Sequence, residues 1–182
     1  MRRLNYFFFL IVGTVSISCV ATNLVTTYYS DNYDKSNDQT SVKVSPLGDV
    51  KIPGKWTKTR ENEVSGQHFF VGPDSVEIAI ALVVWDAYEF AHNNRAVTRD
   101  NFVKRFYEWE GTHLREKANG QLKIVKEGKD KNYLIWNLRN EQGLNVYFLF
   151  GLKGKTAYNL NVKTPKWDEE KKIKFLERLF NV

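Results

Sequence analysis

The chain has 182 residues with a single cysteine, a formal net charge of +6, 42% hydrophobic and 14% aromatic residues. That apolar content excludes a disordered chain, the length suits one domain with its own core, and one cysteine excludes an intrachain disulfide. The positive charge is modest, so it permits attraction to anionic lipid or polymer without dictating it.

Arg2 and Arg3 precede an uncharged apolar stretch over residues 4–15. A basic start followed by roughly 7–15 apolar residues is the plan of a signal peptide, and is shorter than the roughly 20 residues of a spanning helix. Ser16-Ile17-Ser18-Cys19 places a small residue before a cysteine and resembles the lipobox of bacterial lipoproteins. That resemblance implies fatty acylation of the thiol and cleavage just before it. Ser16 and Ile17 depart from the Leu or Val and the small residue usual at those places. Residues 1–18 are therefore expected to be a lipoprotein signal peptide, with Cys19 lipidated and the protein held in the cell envelope on a membrane outside the cytoplasm. Two alternatives stay open: an uncleaved anchor over residues 4–25, which Thr14, Ser16, Ser18, Thr22 and Asn23 weaken, and a Cys19 that is simply a small buried side chain.

Residues 20–49 are rich in Ser, Thr, Asn and Asp and lack a sustained period. Behind Cys19 they read as a flexible tether over 19–49, with a reach of roughly 30 Å, and they leave 50–182 as the globular domain. Tyr28, Tyr29 and Tyr33 allow the alternative of an added strand.

From Lys51 the pattern becomes regular. Pro53-Gly54-Lys55-Trp56 is a turn that delivers a tryptophan into a short strand ending near Arg60, and residues 62–66 can reverse the chain. His68 to Val71 form an apolar run closed by Gly72-Pro73-Asp74, which has turn chemistry. Val76, Ile78, Ile80, Leu82 and Val84 then alternate with Ala79, Ala81 and Val83, as in a central strand covered on both faces. Thr98 is a candidate N-cap for a helix to Ala118 with Phe102, Val103, Phe106, Tyr107 and Leu114 on one stripe; Gly111 is its weak point and Asn119-Gly120 its stop. Strands follow over 121–127, 133–139, 144–152 and 155–162, and their short links force antiparallel pairing. Asp168, Glu169 and Glu170 open a last helix whose buried stripe is Ile173, Leu176, Leu179 and Phe180. Lys171, Lys172, Lys174 and Arg178 are expected on its solvated face.

The order of these elements, with Pro53-Gly54-Lys55-Trp56, Phe69-Phe70, Gly72-Pro73-Asp74, Ala157-Tyr158-Asn159-Leu160, Pro165 and Trp167, resembles the PsbP-like family and its Mog-type relatives from about Lys51 to Val182. The resemblance implies an α+β fold: an antiparallel sheet flanked by helices on both faces, an α/β/α sandwich. It brings no catalytic residue with it, and fold analogy of that breadth leaves function open.

His68, His92 and His113 fall on a strand, a loop and a helix without metal-ligand spacing, and there is no phosphate loop or nucleophile elbow. With Cys19 acylated no thiol nucleophile remains. Glu108 and Glu110, two apart on a helix, point to different faces, and Asp86 and Glu89 read as surface charge. Lys104, Arg105 and Arg115 interleave with Phe106, Tyr107 and Trp109, yet Phe106 and Tyr107 already serve the apolar stripe and the expected compartment offers little nucleic acid. Trp85, Trp109 and Trp136 stand beside apolar faces, and Trp85 and Trp109 are the candidates for a partner-binding patch. The reading is of a non-catalytic, lipid-anchored binding or assembly module for an envelope protein, monomeric as a domain, needing neither cofactor nor metal. The alternative is an envelope enzyme or small-ligand carrier with a cleft between sheet and helix.

Overall fold

A computed structural model describes residues 26–92 and 94–181. The expected signal peptide and Cys19 lie outside the described residues. Among the described residues, no helix is long and apolar enough to cross a membrane.

Three strands come first: β1 (Tyr28–Asp34), β2 (Gln39–Ser45) and β3 (Gly48–Pro53), paired antiparallel in that order. The β1–β2 reversal is an Asx turn. The Asp34 carboxylate accepts from the Ser36 amide at 2.9 Å and hydroxyl at 2.6 Å and from the Asn37 side chain at 2.6 Å, and these donors hold its pKa down to about 2. In β2 the residues Thr40, Val42 and Val44 point inward, and Val50 and Ile52 answer them from β3. Residues 28–49 are therefore not a tether: the added-strand alternative holds for β1, two further strands accompany it, and the folded domain begins at Tyr28 rather than at residue 50.

The second sheet has seven strands, all antiparallel to their neighbours. They are β4 (Thr57–Asn62), β5 (Gln67–Val71), β6 (Glu77–Val84), β7 (Gln121–Glu127), β8 (Tyr133–Arg139), β9 (Asn145–Lys153) and β10 (Thr156–Lys163), laid side by side as β4-β5-β6-β10-β9-β8-β7. The expected central strand is β6, which pairs with β5 on one side and β10 on the other.

Strand alternation sorts the buried side chains into two clusters. Tyr133 and Ile135 of β8 and Tyr147 and Leu149 of β9 join Ile78, Ile80, Leu82 and the valines of the small sheet in the first cluster, together with Leu176, Leu179 and Phe180 of helix α2 (Glu169–Phe180). Leu134, Trp136, Phe150 and Leu152, one position out of phase, join Phe102, Val103 and Phe106 of helix α1 (Arg99–Ala118) in the second.

Each helix is fixed at both ends. Asn101 Oδ1 accepts from the Thr98 amide at 2.8 Å, and Asn119 closes α1 in the left-handed conformation, as its sequence suggests. Gly111 is no defect: a Cβ there would stand 3.0 Å from Leu122 Cδ1, so the glycine lets α1 approach β7 closely. Asp168 caps α2 by accepting from the Lys171 amide at 2.7 Å. Two tyrosines then tie α2 to the sheet, Tyr147 donating to Glu169 and Tyr133 to Glu177, each at 2.6 Å; burial and the adjacent carboxylates push both phenols up to about 12. Lys172 departs from its expected place on the solvated face. It is buried with its ammonium 4.9 Å from the Tyr147 ring centre, because its position along α2 turns it toward β9. Burial lowers its pKa while Asp168 and Glu169 oppose the shift.

Candidate functional site

The loop between β6 and α1 is held by its own hydrogen bonds. The Tyr88 carbonyl accepts from the Ala91 and His92 amides at 2.9 and 2.8 Å, the Asn94 side chain donates to the Phe90 carbonyl at 3.1 Å, and Asn101 Nδ2 reaches back to the Ala96 carbonyl at 2.9 Å. This scaffold presents Phe90 to the first turns of α1. Phe90 stacks on Phe102 (centroids 5.4 Å apart, planes at 14°) and on Trp109 (5.2 Å, 28°).

Trp109 is the outer ring of this assembly. It also meets Tyr88 edge-on at 6.5 Å and Phe106 at 6.1 Å, yet remains 41% exposed. An open groove of about 500 Å³ runs beside it, lined by Phe90, Asn94, Ala96, Val97, Arg105, Glu108 and Trp109. Arg105 and Glu108 pair across one helical turn at 3.3 Å, both half in solvent. The groove thus offers two aromatic faces with a cation, a carboxylate and an amide at its rim, which suits an apolar side chain flanked by polar backbone.

Trp85 lies at the end of β6, half-buried and edge-on to Phe102 at 5.4 Å. Phe102 and Phe90 connect it to Trp109, but only Trp109 lines the groove. Trp136 is no surface residue: it is fully buried between α1 and β9, stacked on Phe148 at 5.5 Å and against Tyr107 at 5.4 Å.

Glu108 faces the groove, whereas Glu110 sits half-buried, its carboxyl pKa raised by burial, with its charge felt by the Tyr88 phenol. The two glutamates do not converge, as their spacing requires. His68 lies on β5, His92 in the loop after β6 and His113 on α1. Among the described residues no three His, Cys, Asp or Glu side chains group closely enough to hold a metal ion.

A second open groove, about 430 Å³, lies at the other end of the sheet, between Pro53, Trp56 and Pro73 on one side and Trp167, Lys171 and Phe175 on the other. Its rings pack at 5.0 Å (Trp167 on Phe175) and 5.7 Å (Trp56 on Phe175). Phe90, Asn94 and this second groove carry no sequence signature of function; the only signal for Phe90 is an aromatic recurring two residues after Tyr88 directly behind the central strand.

No family model and no curated protein matches the chain. The chain is similar to a protein from Bacteroides thetaiotaomicron VPI-5482 known from its crystal structure, at 15% identity over 82% of this chain and 46% of that one, with a TM-score of 0.39. It therefore spans about half the length of the protein it matches.

Proposed function

We propose that the protein is a lipid-anchored, non-catalytic binding module of the cell envelope, acylated at Cys19, that presents the groove beside Trp109 to a protein partner. The observation that carries this reading is the exposed Trp109 ring, stacked on Phe90 of the hydrogen-bonded loop, over an open groove rather than a closed pocket of convergent polar groups. Trp85 supports the patch from behind through Phe102.

We further infer a PsbP-like, Mog-type layering with α1 on one face of the seven-stranded sheet and α2 on the other. The division of the buried side chains between two out-of-phase clusters supports it. The three-stranded sheet shares the α2 side of that arrangement.

Crosslinking pull-down from native membranes with the wild type and with Trp109→Ala tests the function. An aromatic anchor of this kind is expected to contribute about 2 kcal/mol or more to association, so Trp109→Ala should lose most of the captured partner while folding normally. Undiminished capture by Trp109→Ala would remove the groove from the proposal. Loss of a catalytic turnover on mutating His68, His92 or His113 would favour an enzyme instead.

A further inference from the structure

We infer that the second groove, between Trp56 and α2, is a docking site for an extended, proline-rich acidic segment of a partner protein, with its carboxylates three residues apart. This site is separate from the groove beside Trp109 and does not depend on it.

α2 turns one stripe into the second groove. Lys171, Lys174, Phe175 and Arg178 recur at the three- and four-residue steps that put side chains on one helical face, and all four line the groove. Their charges are not equally committed. Lys174 pairs with Glu170 at 2.5 Å, and across the groove Asp74 stands 4.0 Å from Lys166, so these charges cancel in place. Asp168 is turned to the helix start, where it accepts from the Lys171 amide. Glu169 and Glu177 are bonded to Tyr147 and Tyr133 on the sheet side. What remains is two cations. The Lys171 ammonium meets only the Trp167 ring, 4.7 Å from its centre, and the Arg178 guanidinium makes no ion pair among the described residues.

Between these cations lies a fixed apolar floor. Trp56 is buried and its indole donates to the Pro53 carbonyl at 2.8 Å, while Phe175 packs on it at 5.7 Å and on Trp167 at 5.0 Å. The Trp167 indole N–H is neither buried nor bonded to a described residue, so it can donate to a ligand carbonyl. A helical ligand keeps its carbonyls for itself, whereas a polyproline II segment leaves them free and sets proline faces against aromatic walls. The spacing agrees. Seven residues separate Lys171 from Arg178, about 10 Å along α2, and three polyproline II residues cover about 9 Å and return to the same edge. Carboxylates at that interval would meet both cations. With Lys171 over its ring and Phe175 against it, Trp167 offers little open face for a sugar, which favours a peptide over an acidic glycan.

The test is fluorescence anisotropy of the full-length protein with fluorescein-labelled proline peptides carrying a phenylalanine between two glutamates, at separations of two, three, four or seven residues. The three-residue spacing should bind about threefold or more tighter than the others. Lys171→Glu and Arg178→Glu should each weaken it about fivefold. Lys123→Glu, which reverses an exposed charge on β7, should leave it unchanged. The spacing series uses the unaltered chain, so it decides even where a substitution disturbs folding. No binding at millimolar peptide, equal binding at every spacing, a maximum at seven, or an equal loss in Lys123→Glu would overturn the site. Tighter binding of an oligogalacturonate than of any peptide would overturn it too, in favour of an acidic glycan.

Discussion

The Tyr29 ring stacks on His68 with centroids 3.8 Å apart and so fastens the first strand of the small sheet to the edge of the large one. Lys58 lies 4.0 Å over the same tyrosine and pairs with Glu61, whose carboxylate is 3.7 Å from His68 Nδ1. The tyrosine hydroxyl is spent on Asp31, at 2.5 Å. The histidine is thus enclosed by Tyr29, Asp31, Lys58 and Glu61.

This enclosure makes stability depend on pH with a definite sign. Burial, aided by Lys58 and opposed by Glu61 and Asp31, lowers the His68 pKa below its ordinary 6.5. Below pH 6.5 the unfolded chain takes up the proton first. The stabilisation is therefore complete above that value and is lost as pH falls through the folded pKa. Denaturant midpoints should fall between about pH 7 and about pH 5 for the wild type and fall less for His68→Gln. An identical slope in the variant would contradict this role.

The small sheet belongs to the core, and truncation exposes it. A chain beginning at residue 50 loses β1, β2 and the first residues of β3, leaving Ile52 and Val50 without Val42 and Val44. Two fully buried valines are worth about 3–6 kcal/mol, a large share of the about 5–15 kcal/mol typical of a domain. Residues 26–182 should unfold in one cooperative transition, and residues 50–182 should melt earlier or aggregate. Equal stability of the two would mean the small sheet is an accessory.

That misplaced boundary shows where local signals end. The strands from β5 to β10 and both helices are legible because their apolar periods are long and their turns carry Gly, Pro or Asn, whereas β4 has no apolar side chain and is legible only from the Pro53-Gly54 turn and Trp56 ahead of it. Thr40, Val42 and Val44 also alternate, but over so few residues, between Asx turns and serines, that composition outweighs period. Lys172 looks solvated because charge suggests a surface, and only the three-dimensional course of α2 turns it inward. At the candidate site Trp109 is legible as an aromatic off the helical stripe. Phe90 is not, because its place depends on hydrogen bonds from Asn94 and Asn101 that fold the loop.

Trp56 joins the two sheets and should be costly to remove. Its amide donates to Thr40 Oγ1 at 2.9 Å, its indole donates to the Pro53 carbonyl at 2.8 Å, and the ring packs so closely on Gly72 that a Cβ there would stand 2.6 Å away. Trp56→Ala should cost about 3–5 kcal/mol in denaturant unfolding. Gly72→Ala should also destabilise, but much less in a chain that already carries Trp56→Ala. Simple additivity of the two would show that the ring and the glycine do not share a contact.

Exposed and buried aromatics of the same cluster should separate cleanly. Phe106 is buried and stacked on Phe150 with centroids 3.4 Å apart, so Phe106→Ala should cost about 3–5 kcal/mol. Trp109→Ala removes an outer, 41% exposed ring that still stacks on Phe90, and should cost clearly less than Phe106→Ala, about 1–2 kcal/mol. A Trp109→Ala cost as large as that of Phe106→Ala would mark Trp109 as structural rather than as a binding surface.

The proposed anchor is tested most directly by the intact mass of the protein extracted from its native membranes, with the N-terminal peptide sequenced by fragmentation. The expected product begins at Cys19 and carries fatty acyl mass on that residue. An intact chain beginning at Met1, with an unmodified thiol at Cys19, would contradict it.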